Sequence, residues 1–282
     1  MRLASKLGAP SEHARANVQE AVKPELPEVE EAAQRLRRAV VGRTIARVQP
    51  LHRSVAARVT PAIARALRGA TVERVERRGK HQLIHLEDGR IIHVHFRMSG
   101  DWALLGDAEA PRSARLVITF TDGTRLALVD PRALGTVDVH RAGAPPVIAL
   151  GPEATDPTID PAEVRAQLRR RRTPIKVALL DQRILAGVGN IYAAEGLWHA
   201  KLDPRVAASS LTQRQVARML QGIRTAMAQS GGARYATDED RFAVYGRRGE
   251  PCRRCGTPIE QLTQAGRSTY FCPKCQGARR RS

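Results

Sequence analysis

The chain has 282 residues, with 47 Lys and Arg against 28 Asp and Glu, a formal net charge of +19 and a pI near 11.1. Such a balance is the footprint of a polyanion binder. No long apolar run is present and the arginines are spread over several segments, which speaks against a membrane and leaves nucleic acid as the leading partner. With only 2 Trp, 4 Tyr and 4 Phe there are few base-stacking platforms, which favours phosphate contact along a duplex over single-strand reading.

The length suits about two domains. Residues 1–23 show little apolar periodicity and lack the apolar stretch of a signal peptide, so they are expected to be a disordered extension. The pattern changes at Lys23-Pro24-Glu25-Leu26-Pro27-Glu28-Val29-Glu30. Two prolines set an extended lead-in, Pro27 suits a helix start, and Val29, Ala33, Leu36 and Val40 recur at helical spacing until Gly42. Taken alone, Glu25, Glu28 and Glu30 read as acids complementing a helix dipole. Residues 44–140 read as strands, with Asp88-Gly89 and Asp122-Gly123 as hairpin turns and a short helix over residues 61–67, which predicts a β-sandwich or barrel. Over residues 91–98, His93, His95 and Arg97 share one strand face and Ile92, Val94, Phe96 and Met98 the other. Two histidines at that spacing suit a metal, but no third ligand stands nearby, so hydrogen bonding on a polar face or in the core is the expectation. Lys80, after Arg77-Arg78-Gly79, reads as one more solvated charge.

Residues 143–158, rich in Gly, Ala and Pro, are the expected linker. Asp160 with Pro161 and Glu163 forms a capping box that starts a helix running into the arginines at 169–172. Thr173-Pro174 starts the next helix, turning Ile175, Leu179 and Leu180 inward. Ala186-Gly187-Val188-Gly189 breaks it, and Asn190 is expected to cap a third helix through Tyr192 and Trp198. Glycines at a helix start leave amides pointing outward, and with Lys176 and the arginine run close by, this turn is expected to take a phosphate. Thr212 to Gln215 forms another capping box, whose helix is expected to end at Gly231-Gly232. All 4 cysteines follow, as Cys252-x-x-Cys255 and Cys272-x-x-Cys275. Paired knuckles joined by a short hairpin place four thiolates around one Zn2+ in a closed structural site; free thiols or two disulfides fit the spacing less well. Arg267 stands at the hairpin tip. A hairpin this short buries no core, so the metal holds it rigid for a purpose outside itself.

The ordered motifs Pro24-Glu-Leu-Pro-Glu-Val-Glu30, Met98-Ser-Gly100, Asp130-Pro-Arg132, Gly187-Val-Gly-Asn-Ile-Tyr192 and Val244-Tyr-Gly-Arg-Arg-Gly-Glu-Pro-Cys252 resemble the formamidopyrimidine-DNA glycosylases, from about residue 24 to 276. The resemblance implies an α+β multidomain fold: a catalytic β-sandwich with flanking helices over 24–142, the linker, a helix-two-turn-helix DNA-binding domain over 159–232, a zinc finger over 244–276 and a basic tail over 277–282. It implies base-excision repair of double-stranded DNA, releasing 8-oxoguanine or formamidopyrimidine and cutting the abasic strand through a Schiff base. One structural Zn2+, a monomer and a cytoplasmic, nucleoid-associated site of action complete the expectation. Pro24 matches the amine nucleophile, Glu25 the carboxylate that moves protons at the sugar, Glu28 a second acid near the pocket, and Lys80 the lysine beside the nucleophile. Lys176, Asn190 and Arg267 match residues that grip the backbone flanking the extruded nucleotide. Met98 and Arg132 match two residues that fill the void it leaves.

Three departures stand out. Leu134 occupies the place of a usual aromatic wedge, after Ala133 where a second arginine is common. The connection between Gly232 and Val244 is short, which leans lesion preference toward ring-opened purines or toward the oxidised pyrimidines of the related endonuclease VIII branch. As written, Lys23 precedes Pro24, whose nitrogen is then a tertiary amide without a lone pair to attack a sugar. Cleavage after Lys23 or a different start restores the amine; otherwise Lys80 takes over or the protein binds lesions without lyase activity. Two other classes compete: a non-catalytic module for damaged DNA, and a zinc-ribbon adaptor for a protein partner, which leaves the Pro24 motif unexplained.

Overall fold

The computed structural model describes residues 24–229 and 242–277. The expectations for residues 1–23, for a helix end at Gly231-Gly232, for the connection that follows it and for the tail beyond 277 lie outside the described residues. The opening helix α1 (Leu26–Val40) carries Pro27 in its first turn and buries Val29, Ala32, Leu36 and Val40, as the helical spacing requires. After it come β1 (Ile45–Pro50), two short helices α2 (Arg53–Ala56) and α3 (Pro61–Ala66), and then β2 (Val72–Arg78), β3 (His81–Leu86), β4 (Ile91–His95), β5 (Asp101–Leu104), β6 (Ala114–Phe120), β7 (Arg125–Val129) and β8 (Thr136–His140).

These strands form two four-stranded sheets, ordered β1-β6-β7-β5 and β2-β3-β4-β8, with every pairing antiparallel. Ile45, Leu116, Ile118 and Leu128 from the first sheet meet Val72, Ile84, Ile92, Val94 and Val137 from the second in one core, and α1 closes it with Val29 and Leu36. This is the expected sandwich. One strand is shorter than its sequence suggests: β4 stops at His95, because Arg97 takes a left-handed backbone at φ 58°. Arg97 and Met98 therefore leave the sheet for a loop, and Met98 does not continue the core face.

The second domain packs α4 (Pro161–Leu168), α5 (Ile175–Ala178), α6 (Asn190–His199) and α7 (Gln213–Gln229) around Leu179, Ile191, Tyr192, Leu197, Leu220 and Ile223. Asp160 caps α4 by accepting from the Ala162 amide at 2.8 Å, but the helix ends at Leu168 and the arginines at 169–172 lie beyond it. α5 is a single turn. At the start of α7, the Thr212 amide donates to Gln215 Oε1 at 2.8 Å while the Gln215 amide donates to Thr212 Oγ1 at 3.3 Å, which is the expected reciprocal box. The last module is the hairpin β9 (Glu260–Gln264) and β10 (Arg267–Phe271) followed by one helical turn, α8 (Pro273–Gln276). Leu26, the first residue of α1, is buried in the helical domain's core, so α1 joins the two main domains.

Candidate active site and nucleic-acid interface

The junction between α1 and α6 brings the acids of the opening motif together. Glu25, 3% exposed, spans the N-terminus of α6: the Ile191 amide donates to its Oε1 at 2.9 Å and the Tyr192 amide to its Oε2 at 3.2 Å. Glu28 accepts from the Glu25 amide at 3.0 Å and from the Tyr192 hydroxyl at 2.8 Å. Two sequence expectations are corrected here. Asn190 does not cap α6, since Gly189 is the cap residue and the Asn190 side chain points elsewhere. Nor are the first amides of α6 open to a phosphate, because a carboxylate of the chain already holds them. The glycines serve this approach: a Cβ on Gly189 would stand 2.2 Å from Glu25 Cδ, and one on Gly187 2.4 Å from Leu26 Cδ1. Pro24, buried at the entrance to α1, lies directly beside this carboxylate in the chain.

Lys80 stands in the turn between β2 and β3, half-buried and in the field of Glu25 and Glu28. It is not the solvated charge its sequence context suggested. Burial holds its ammonium below the usual lysine range, with Arg267 adding to the effect and Glu25 and Glu28 opposing it. Burial likewise pushes the Glu25 carboxyl above its ordinary value, against the pull of Lys80 and the two α6 amides. The turn itself is anchored by Glu153, whose carboxylate accepts from Arg77 at 2.7 Å, Arg78 at 2.7 Å and the Gly79 amide at 2.6 Å. Arg77 also binds Glu30 on α1.

Around this centre lie the residues expected to hold DNA. Lys176 is wholly buried on α5; its Nζ donates to Asn190 Oδ1 at 2.5 Å, and the Asn190 amide nitrogen donates to the Ser268 carbonyl at 3.0 Å. Burial first, then Arg267, lowers the Lys176 ammonium to about 8. Arg267 is exposed where β10 leaves its turn, with its charge felt at both Lys80 and Lys176. Met98, Arg132 and Leu134 sit on two adjacent loops joined by buried Asp130, which accepts from the Ser99 hydroxyl, the Gly135 amide at 2.7 Å and the Arg132 amide at 3.3 Å. Leu134 is 46% exposed, an apolar side chain held out to solvent beside Arg132.

The four cysteine Sγ atoms lie within 4.8 Å of one another, with Cys252 to Cys275 at 4.0 Å and Cys255 to Cys272 at 3.5 Å. Tetrahedral zinc with bonds of ~2.3 Å places its sulfurs about 3.8 Å apart, so the donor set fits one Zn2+. The Trp198 indole N–H donates to Cys252 Sγ at 3.4 Å and the Cys275 amide to Cys272 Sγ at 3.3 Å, as thiolate ligands require. Buried Glu195 on α6 accepts from the amides of Ala243, Val244 and Tyr245 at 2.8 to 2.9 Å and so ties the zinc module to the helical domain.

The structure thus gathers Glu25, Glu28 and Lys80 in one place and Lys176, Asn190 and Arg267 beside it, with Met98, Arg132 and Leu134 forming a separate group of loops. Sequence reasoning gave no role to Tyr192, Glu153, Asp130 or Glu195. Tyr192 and Asp130 were visible within motifs; nothing local marks Glu153 or Glu195, whose partners lie more than 45 residues away.

Comparison with known proteins gives a consistent result. Residues 23–137 match the family described as Formamidopyrimidine-DNA glycosylase N-terminal domain, residues 150–234 the Formamidopyrimidine-DNA glycosylase H2TH domain, and residues 249–277 the Zinc finger found in FPG and IleRS. A formamidopyrimidine-DNA glycosylase of Rhizorhabdus wittichii is 38% identical over 90% of this chain and 99% of its own length, and one of Salinispora arenicola is 41% identical over 92% and 98%. Among solved structures, MutM bound to DNA containing carbocyclic 8-oxo-G is similar with a TM-score of 0.82, and the Lactococcus lactis enzyme on abasic-site DNA with 0.83. Each is 30% identical and covers 90% of this chain and 100% of the relative.

Proposed function

The chain belongs to the formamidopyrimidine-DNA glycosylase family, and from that premise we propose how its own residues excise an oxidised purine from DNA and cut the strand. Its function is that of a zinc-finger base-excision repair glycosylase. The neutral secondary amine of Pro24 attacks C1′ of the extruded nucleotide, the bond from C1′ to the base breaks, and opening of the sugar ring leaves a Schiff base on the proline. Glu25 handles the proton that the departing base and the ring oxygen require. Its raised pKa favours a carboxyl able to donate, while the α6 amides keep it oriented. Lys80 supplies positive charge beside the amine, which favours the unprotonated nucleophile. The observation that carries this reading is the convergence of Glu25, Glu28 and Lys80 at the residue that opens α1.

Arg267 and Asn190 hold the backbone flanking the lesion, with Lys176 beneath them orienting Asn190. Met98, Arg132 and Leu134 fill the gap in the duplex, Leu134 as an aliphatic wedge. Double-stranded DNA bearing oxidised bases or abasic sites is the partner; the protein acts as a monomer at the nucleoid.

Pro24 serves only as a free amine, so the test joins intact-mass measurement to borohydride trapping on abasic DNA. Trapping by a chain whose first residue is Pro24 is the expected result. Trapping by a chain that still carries Lys23 would move the nucleophile to a lysine, Lys80 first. Binding with neither trapping nor cutting would leave a damaged-DNA-binding module. Parallel assays on formamidopyrimidine, 8-oxoguanine and oxidised-pyrimidine duplexes should show the first cut fastest; preference for the pyrimidine would overturn the assigned lesion class.

A further inference from the structure

Five of the chain's 8 histidines share the outer face of one sheet: His81 and His85 on β3, His93 and His95 on β4, and His140 on β8. The register sets His81 opposite His95, Asp138 opposite His93, and His140 diagonally beside His93. His81 Nδ1 and His93 Nε2 face each other at 2.8 Å. The His81 and His93 ring centroids are 5.0 Å apart and those of His93 and His140 5.6 Å. His140 Nε2 is buried with no hydrogen-bond partner, which is costly for a ring nitrogen that has no other use.

We propose that His81, His93 and His140 form a second metal site, for a divalent transition ion of the zinc, cobalt and nickel class, with a carboxylate oxygen of Asp138 or water completing the shell. Imidazole donors select that class over magnesium or calcium. Two nitrogens on one tetrahedral ion, with bonds of ~2.0–2.1 Å, stand about 3.3 Å apart, so the His81 and His93 pair opens by only about half an ångström. The proton now shared between them moves to the other nitrogen of its own ring, which turns both lone pairs to the ion without releasing a proton. The charges around the site place the ion at its His93 end. Arg97 faces His81 and His95, and Lys80 faces His95, whose Nδ1 already accepts from the Arg97 amide at 3.0 Å. The Asp138 carboxylate lies toward His93, held by Arg58 at 2.6 Å. Among the described residues only the cysteines already gather three or more ligand atoms within 4.8 Å, so the histidine site fills by ring rotation and binds more weakly than the ribbon. Once filled, it staples β3, β4 and β8 beneath the turn that carries Lys80 and the loop that carries Met98.

The test is equilibrium dialysis of untagged protein, its ribbon zinc retained and counted, against Ni2+. One Ni2+ per chain beyond the zinc is expected, with a rise in melting temperature. His93→Ala and His140→Gln should each weaken Ni2+ binding at least tenfold and abolish that rise, while His85→Ala, whose ring is engaged by Glu76 at 3.2 Å, should leave both unchanged. No Ni2+ beyond the zinc, or binding indifferent to His93→Ala and His140→Gln, would overturn the proposal.

Discussion

At the scale of single residues, Glu25 serves as both helix cap and proposed acid, and the two roles separate by substitution. In Glu25→Gln the carboxamide oxygen keeps one of the two α6 amides while its NH2 faces the other, so the fold should hold at a lower melting temperature and affinity for abasic DNA be kept, while base release falls by about 10² to 10⁴ with the loss of a proton carrier. Single-turnover excision beside a binding isotherm measures both; loss of binding in step with excision would make Glu25 structural. Arg267→Ala is expected to do the opposite. It should weaken binding to all sequences and lower the salt slope by about 1, as removal of one phosphate contact does, with little change in melting temperature. Lys176, buried beneath Asn190, should give a smaller change in salt slope than Arg267.

At the scale of elements, the histidine face of β3, β4 and β8 predicts acid lability. His95 titrates at about 3 and His81 at about 4 in the folded chain, chiefly because burial disfavours their charged forms, against 6.5 ordinarily. Below pH 6.5 the unfolded chain therefore binds more protons, and stability declines as pH falls from 6.5 toward 4. Urea midpoints measured at pH 7, 5.5 and 4.5 should drop in that order, and His81→Gln should flatten the drop. The joint between α6 and residues 243–245 carries a second prediction. Glu195→Ala leaves three amides, two of them buried, without their acceptor, at a cost of roughly 3–5 kcal/mol, visible as an earlier melt of the helical and zinc modules. These elements also mark the limit of what the sequence discloses. α1, the run of strands and hairpins and the zinc knuckles follow from periodicity, turn residues and spacing, all of which are local; the division of those strands into two sheets does not. The early end of β4 comes from a left-handed backbone at Arg97 that alternation does not reveal, and the use of the Gly187 and Gly189 turn to admit Glu25 and the pairing of Lys176 with Asn190 depend on partners from other elements. From its own residues the α6 N-terminus reads as a phosphate site; that its amides are taken instead by Glu25, 166 positions earlier, is visible only in three dimensions.

At the scale of the whole molecule, the charge of +19 and the placement of the zinc module govern DNA binding. Engagement of about six phosphates implies a fall in affinity of about 10³ between 50 and 200 mM salt; flat binding over that range would contradict the interface described. Removing zinc with a strong chelator should cost the ribbon its order, and with it the proposed phosphate contact of Arg267, while the sandwich, which shares no core residue with the cysteines, keeps its own transition. A single cooperative loss of every signal on chelation would argue against that independence.

The Glu25 carboxylate belongs to α1 by chain and to α6 by hydrogen bonding, so the two main domains cannot part without disarming it. Separation strips away the Ile191 and Tyr192 amides together, and the carboxyl loses its aim at the moment the cleft opens. The aim of the proposed acid therefore depends on the joint between the two domains, the same joint that Leu26 closes by packing into the helical core.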